Sequence, residues 1–273
     1  MIEHTRQNCS SSVVNMTELF VTLTNDVVSR VALGRKYSDS EDGRKVMKMI
    51  IGFGELLGVF NVGDYIPGLG WQNHFNGLKY KVNKVAKEIY EFMEHLIEEH
   101  KSRMKGLGDD SDESTEESSL DFVDILLEIQ RKNSSNNLLQ FESLKAMIMD
   151  MFAAGTDTTH SVMEWVMVEL LRHPKVMEKL QNEVRAVGQG KSEITEDDFD
   201  KMQYLKLVIK ETLRLHSPVP SLVPRESTRD IKVMGYDIPI RTRVIVNAWA
   251  IGRDPLLWEK PEEFQPERFL SVS

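Results

Sequence analysis

The stretch FAAGTDTTHS, residues 152–161, lies inside a longer run whose apolar residues recur at helical spacing. A glycine such as Gly155 in a helix interior is less favourable than alanine by about 1 kcal/mol. Threonine and aspartate favour caps and turns, because their side chains compete for backbone hydrogen bonds. A glycine followed by Thr-Asp-Thr-Thr in a strongly patterned helix therefore marks a position where function is expected to override local preference.

Two explanations of this stretch are open. In the first, Gly155 removes bulk so that a large or flat group can approach the helix, while Thr158 and Asp157 supply a hydroxyl and an adjacent proton source or acceptor. In the second, Gly155 allows close helix packing, and Thr158 bonds the carbonyl four residues before it. The stretch alone does not decide between chemistry and packing.

Length, charge and cysteine usage exclude several classes of protein. The chain has 273 residues, enough for a sizeable core, with ordinary globular composition and a net charge of -9, whereas general nucleic-acid binders are usually basic. Its single cysteine, Cys9, excludes a disulfide within the chain and favours a reducing compartment. The sequence shows neither the apolar core of a signal peptide nor an uninterrupted apolar span.

Periodicity predicts a mainly helical chain with a small sheet near its C-terminus. The predicted helices cover residues 16–33 (capped by Gly34), 42–60, 75–105, 120–132, 144–171, 174–187 and 204–216, with a capping-box-like start at Thr195 and Asp198. Prolines at 218, 220 and 224 exclude helix there, and DIKVMGYDIP predicts a hairpin around Gly235, followed by a strand in TRVIVNAWAI. An acidic, serine-rich loop is expected at residues 106–119.

Charged residues occur in a second unusual context, the segment KETLRLH at residues 210–216. Glu211 and Arg214 are three apart on one predicted helix, so they can pair. The surrounding positions are apolar, which indicates a desolvated pair that needs a third partner for the guanidinium. Arg268, in the segment FQPERF, would by itself be a surface turn residue.

Together, in this order, these segments resemble the cytochromes P-450, the haem-thiolate monooxygenases. AAGTDTT is similar to the family's oxygen-activation motif, ETLR to its Glu-x-x-Arg motif, and PERF to the segment that supplies a second arginine. HSPVPSLVPRES, NAWAIGRDP and LFVTLTNDVVSRVALGRKYS resemble the plant microsomal A-type branch. The resemblance implies a mainly α fold with a small β-sheet, the cytochrome P-450 fold, with residues 1–273 forming the central part of one domain, incomplete at both ends.

The resemblance also implies roles for individual residues. Asp157 and Thr158 match the acid–alcohol pair that delivers protons, and Gly155 lies beside the bound cofactor. Glu211, Arg214 and Arg268 match a buried structural triad. Arg225 matches a position that often pairs with a haem propionate. The substrate-pocket positions are Ala153, Ala154, Val219, Ser221 and Leu222, and residues 49–71 match a lid over that pocket.

Cofactor, partners and location follow from the resemblance as well. It implies haem b as cofactor, electrons from NADPH through NADPH-cytochrome P-450 reductase, and O2 with a small hydrophobic plant metabolite as substrates. It implies the cytosolic face of the endoplasmic reticulum membrane for the full-length family. No residue is assigned as a metal ligand, and no nucleic acid is expected as a partner.

One part of the family's chemistry has no counterpart in the sequence. The iron ligand is a cysteine in a glycine-rich loop after the PERF segment, and Cys9 lies at the other end of the chain. The membrane anchor of the family is not matched either. The chain as given is therefore expected to be inactive by itself. A non-catalytic truncated remnant and a helical interaction module remain the alternatives.

Overall fold

Helices dominate the part of the chain that the computed structural model describes, residues 13–36, 41–59, 61–62, 68, 77–106, 120–132 and 140–270. The α-helices are α1 (Met16–Leu33), α2 (Glu41–Leu57), α3 (Leu78–Gly106), α4 (Phe122–Lys132), α5 (Phe141–Arg172), α6 (Pro174–Val187), α7 (Gln203–Leu215) and α8 (Ala248–Ile251). Short 3-10 helices cover Glu196–Lys201 and Pro266–Phe269. None of the described helices combines the length and the apolar character needed to cross a membrane.

The helix boundaries follow the sequence pattern closely. Helix α1 has the predicted bounds, and Gly34 caps it with φ 67°, a left-handed conformation that favours glycine. Helix α5 begins three residues before the predicted start, at Phe141.

Most of the predicted lid at residues 49–71 beyond α2, and residues 107–119 of the predicted acidic loop, lie outside the described residues, as does Cys9.

Contacts divide the chain into two compact units, residues 1–160 and 161–273, and the boundary falls within α5. The first unit is built around apolar side chains from α1 to α5. Its fully buried members include Ala32, Leu33, Leu96, Ile97, Val123, Leu144, Ile148 and Phe152. Burial of this much apolar surface is the main term that stabilises the unit.

The second unit has its own core around α7. Its buried apolar residues are Leu170, Leu180, Tyr204, Leu207, Val208, Leu215 and Phe264. The carboxylate of Glu183 on α6 caps α7 by accepting hydrogen bonds from the backbone N–H groups of Tyr204, at 2.7 Å, and Leu205, at 2.9 Å. The predicted capping box at Thr195 and Asp198 is confirmed.

The β-structure consists of two antiparallel pairs. Strands β2 (Ile231–Val233) and β3 (Tyr236–Ile238) form the predicted hairpin, with Gly235 at φ 89°. Strand β1 (Arg225–Glu226) pairs with β4 (Arg243–Val244). The prediction of a strand through residues 242–251 was wrong beyond Val244. The Asn247 side chain accepts a hydrogen bond from the Ala250 N–H at 2.9 Å and caps α8 instead.

Candidate functional site

The acid and the alcohol of the TDTT stretch lie on the middle of α5 and point to different partners. The Thr158 hydroxyl donates to the carbonyl of Ala154 at 2.6 Å. The Asp157 side chain is exposed. Its Oδ1 lies 4.0 Å from the position that a Cβ on Gly54 of α2 would occupy. The hydroxyl is thus engaged within its own helix, while the carboxylate extends toward α2 and can exchange protons with solvent.

Gly155 on α5 lies close against Val28 of α1. A Cβ at this position would lie 2.9 Å from Cγ2 of Val28, closer than real side chains pack. Because the χ1 angle of valine is restricted, the Val28 side chain can move little to relieve such a contact. The contact supports the packing role of Gly155, and its role beside a cofactor stays a prediction. The pocket candidates Ala153 and Ala154 are half-buried and exposed, respectively.

The structure brings Glu211, Arg214 and Arg268 together in the second unit, and we call these three residues the Arg214 cluster. The Glu211 carboxylate is fully buried and accepts from Nε and Nη2 of Arg214, both at 2.8 Å. Nε of Arg268 donates to the same carboxylate at 2.9 Å, and so does the Gln265 backbone N–H. The two arginines compensate the buried charge of the carboxylate, so the cluster is desolvated without an unpaired ion.

The remaining guanidinium donors bind main-chain carbonyls of the segment 252–263. Arg214 donates to the carbonyls of Gly252, Pro261 and Glu263, at 2.5, 2.7 and 3.2 Å. Arg268 donates to the carbonyls of Glu259, Lys260 and Glu263 at 2.8, 3.3 and 3.2 Å. A Cβ on Gly252 would lie 2.4 Å from the Arg214 carbonyl, so only glycine allows the segment to pass this close to α7. The cluster therefore ties the end of α7 to the segment that follows α8.

The other predicted site residues of the second unit lie between α7 and β1 or on β1. Arg225 is exposed on β1. Val219 and Ser221 are exposed, and Leu222 is half-buried with φ 49°. Such a left-handed backbone is uncommon for a residue with a side chain, so the turn at Leu222 is held by its surroundings.

A second group of charged side chains, three of them buried and one an exposed arginine, lies in the first unit and was not indicated by the sequence. We call His100, Arg103, Asp121 and Asp124 the His100 cluster. Asp121 Oδ2 accepts from Nε2 of His100 at 3.2 Å and from Nη2 of Arg103 at 2.7 Å, and the same Nη2 contacts Asp124 Oδ2. Asp121 also caps α4 through the Asp124 N–H at 2.9 Å. The Asp-x-x-Asp spacing just before an apolar helix was the feature of the sequence that could have indicated this cap.

Two ligand types for a metal meet in the His100 cluster, but an arginine supplies the positive charge there. His100, Asp121 and Asp124 each offer one ligand atom, all within 4.8 Å of one another. The Arg103 guanidinium lies between the carboxylates and compensates them, since it contacts both. We therefore regard the cluster as an ion-pair network that joins α3 to α4.

Hydrogen bonds outweigh burial in setting the pKa values of this cluster. Burial alone would lower the pKa of His100, but the bonds to Asp121 and to the Leu96 carbonyl, the latter at 2.8 Å, raise it above its ordinary value. Burial alone would raise the pKa of Asp121, but the bonds from His100 and Arg103 lower it to about 2. Both ring nitrogens of His100 face acceptors, so the imidazolium form satisfies both contacts.

Known proteins match this chain over almost its whole length. The family model of cytochrome P450 matches residues 1–273. Cytochrome P450 71A2 of Solanum melongena is 57% identical over 273 residues, covering 99% of this chain and 53% of that protein. Norfluorocurarine oxidase of Strychnos sp is 53% identical over 272 residues, covering 99% of this chain and 53% of that protein. A solved zebrafish cytochrome P450 structure with progesterone is 23% identical, with a TM-score of 0.82 over 99% of this chain and 60% of that one.

These matches show family and fold. The chain spans about half the length of the curated relatives it matches. The structural likeness confirms the predicted fold class, a mainly α cytochrome P450 fold with small sheets. The family match extends over every residue of the sequence, and the relatives named above are plant proteins, as the resemblance to the A-type branch predicted. The chain belongs to the cytochrome P450 family.

Proposed function

We propose that this protein is a haem-dependent monooxygenase that inserts one oxygen atom of O2 into a small hydrophobic plant metabolite. The observation that carries the proposal is the Arg214 cluster: a fully buried carboxylate held by two arginines, at the positions where the family has its structural triad. The identity of more than half of the aligned residues with plant relatives, one of them named as an oxidase, supports the same class of chemistry.

The described residues fit a haem b in their donor chemistry. The exposed guanidinium of Arg225 suits a propionate carboxylate, which arginine binds through charge-assisted hydrogen bonds. Ala154 is small and exposed on α5, one turn before Thr158, so this side of the helix leaves room for a flat group. The Arg214 cluster stiffens the segment 252–263 through its bonds to main-chain carbonyls. When bound, the haem supplies oxygen activation and the oxidation itself.

Asp157 and Thr158 are proposed to deliver protons. The exposed Asp157 carboxylate can take protons from solvent and pass them on, a form of general acid catalysis. The Thr158 hydroxyl donates to the Ala154 carbonyl, so its lone pairs are available to accept. To donate toward a bound ligand, the hydroxyl must turn away from that carbonyl. The same bond is what a packing role for Thr158 predicts, and an experiment has to separate the two.

The substrate, the partner and the location are proposed at the level of chemical class. Among the positions that match the family's substrate pocket, Val219, Leu222 and the two alanines at 153 and 154 are apolar, and Ser221 carries a hydroxyl. These residue types suit a small hydrophobic metabolite. We propose that electrons come from NADPH through NADPH-cytochrome P-450 reductase, at the cytosolic face of the endoplasmic reticulum membrane.

A polypeptide of these 273 residues alone is proposed to be inactive. A thiolate ligand to haem iron favours O–O cleavage, and the sequence contains only Cys9 as a source of one. Its position far from the PERF segment does not match the family's ligand. A histidine ligand would give a weaker electronic push.

The carbon monoxide difference spectrum tests the proposal. Protein purified with haem and reduced should show the strongly red-shifted Soret band of a thiolate-ligated haem when the family's cysteine loop is present in the polypeptide. Residues 1–273 alone should not show it. A full-length polypeptide that takes up no haem would refute the oxygenase proposal, and a thiolate-type band from residues 1–273 would refute the inactivity proposal.

Substitution of Thr158 separates proton delivery from packing. In the haem-loaded, reductase-coupled protein, we expect Thr158→Ala to keep consuming O2 while a larger share is released as hydrogen peroxide, because a local proton donor is lost. Asp157→Asn should slow the proton-dependent step. Thr159→Ala, an exposed hydroxyl on the next position, is the control. Wild-type coupling of electrons to product in both Thr158→Ala and Asp157→Asn would leave the packing role as the explanation.

A further inference from the structure

His216, the residue at the C-cap of α7, is held by two contacts from α5. Its ring stacks on Trp165 with ring centroids 3.8 Å apart and an interplanar angle of 4°. Nε2 of the same ring lies 2.9 Å from Oε1 of Glu169. Trp165 and Glu169 are four residues apart on α5 and so share one face of that helix. The stack fixes the tilt of the imidazole and the hydrogen bond fixes its rotation.

The carboxylate that holds His216 is itself fixed. Glu169 is 2% exposed, and its carboxylate also contacts Nη1 of Arg172 at 3.1 Å and Nδ1 of His173 at 3.2 Å. A buried carboxylate with several donors has little freedom to move. The backbone N–H of His216 donates to the Thr212 carbonyl at 2.7 Å, so a fixed ring also fixes the last turn of α7.

The chain that follows His216 has few hydrogen bonds of its own. Residues 217–222, which we call the pocket segment, include Pro218 and Pro220, and proline has no backbone N–H to donate. Within the segment, the Leu222 N–H donates to the Val219 carbonyl at 3.0 Å. The C-terminal half of the pocket segment is held from outside the segment, because the Trp249 N–H donates to the Pro220 carbonyl at 3.0 Å. The path of the segment therefore depends on how its two ends are held.

We propose that His216 is a positioning residue. Because Trp165 and Glu169 fix its ring, His216 sets the direction in which the pocket segment leaves α7. That direction in turn determines the shape of the substrate pocket. The inference rests on the proposed function, because the pocket role of Val219, Ser221 and Leu222 belongs to it. Neither Trp165 nor Glu169 needs to contact substrate for this effect. A displacement of about 1 Å in a positioning element is enough to alter selectivity.

The chain offers a matched control for this role. His173 contacts the same Glu169 carboxylate and stacks obliquely with Phe264, ring centroids 5.2 Å apart, but it leads into α6 and not into the pocket segment. Loss of His173 should loosen the same buried carboxylate without redirecting the segment. Trp165 is 41% exposed, so its substitution is expected to leave the fold intact. Trp165→Phe keeps a flat ring beside His216, and Trp165→Ala removes it.

The experiment measures pocket shape without knowledge of the substrate. The haem-loaded protein is titrated spectrally with imidazole, which binds haem iron directly, and with 1-phenylimidazole, whose phenyl group must also fit the pocket. The ratio of the two dissociation constants is the readout, because it cancels changes at the iron. We expect His216→Ala and Trp165→Ala to change this ratio by about threefold to tenfold. Trp165→Phe and His173→Gln should stay within about twofold of wild type.

The outcomes distinguish the two proposals. If the haem-loaded Trp165→Ala and His216→Ala variants keep the wild-type ratio, the positioning role is wrong while the oxygenase proposal stands. If His173→Gln changes the ratio as much as His216→Ala does, the effect is general loosening and the positioning role is also wrong. If a wild-type polypeptide that includes the family's cysteine loop takes up no haem, the proposed function fails, and the inference fails with it.

Discussion

The Arg214 cluster and the His100 cluster both stabilise buried carboxylates, but they use different positively charged groups. The Arg214 cluster holds its carboxylate with two arginines whose charge does not change with pH, and both arginine side chains are at least nine-tenths buried. The His100 cluster uses one histidine and one arginine, and Arg103 is 48% exposed. Two permanently charged, largely desolvated arginines should make the first cluster indispensable. The second cluster contains a titratable histidine and a partly solvated arginine, so its contribution to stability should change with pH.

The largest expected effect is that of Arg214→Lys. Lysine keeps the charge but lacks the planar fork that bonds Glu211 and three carbonyls at once. Leaving a buried carboxylate half-paired costs about 3 to 5 kcal/mol, a large part of the about 5 to 15 kcal/mol that stabilises a typical domain. We expect loss of folded, haem-binding protein, measured as haem content and thermal unfolding.

The control for Arg214→Lys is the same change at an exposed arginine of the second unit. Arg172 pairs with Glu169 but its side chain is 66% exposed, so Arg172→Lys should leave haem content near wild type. Near-normal haem content in Arg214→Lys would show that the forked geometry is dispensable.

A smaller loss is expected from Asp121→Asn in the His100 cluster. Asparagine can still cap α4 through its carbonyl oxygen, but it removes the charge that holds His100 and Arg103. We expect a loss of about 1 to 3 kcal/mol in the free energy of unfolding, measured by urea denaturation. Glu128→Gln, which breaks an exposed pair with Lys132 on α4, should change stability very little. Equal effects of the two substitutions would mean that burial adds nothing to the cluster.

The His100 cluster should make the stability of the protein depend on pH. Because the folded-state pKa of His100 is raised, the native state binds its proton more tightly than the unfolded chain does. Its contribution is therefore fully present below about pH 6.5, the unfolded value, and is lost as pH rises through the folded value. Urea unfolding of wild type and His100→Gln at pH 6 to 9, about the range concerned, should show the wild-type advantage shrinking as pH rises. An advantage that stays constant or grows with pH would contradict this sign.

The smallest effect is expected from Arg103→Lys, the counterpart of Arg214→Lys in the first unit. The Arg103 side chain is half exposed, so water can replace the lost donors. We expect a decrease below about 1 kcal/mol in the free energy of unfolding, further reduced at high salt. A loss comparable to that of Arg214→Lys would remove the distinction between the two clusters.

The sequence indicated one cluster and not the other for a physical reason. Glu211 and Arg214 lie three apart in an apolar helix, so local spacing is enough to suggest a desolvated pair. His100 and Asp121 meet only because α3 and α4 pack together, and a stretch that the structure does not describe separates them in sequence. Helix bounds such as those of α1 follow from periodicity. The short helix α8 was mistaken for strand, because its Asn247 cap is a local contact that apolar alternation does not reveal.

The way Arg214 and Arg268 hold the segment 252–263 has a consequence for how this part of the sequence can vary. The acceptors are main-chain carbonyls, which every amino acid provides. Exposed side chains such as Glu259 and Leu256 can therefore change under mutation as long as the backbone keeps its path. Gly252 cannot change, because any Cβ would collide with the Arg214 carbonyl. Arg253 is also restricted, because its Nη2 donates to the Leu215 carbonyl at 2.7 Å. Tolerance to mutation should thus be broad at the exposed positions of this segment and narrow at these two residues, while Arg214 and Arg268 outside it permit almost no replacement.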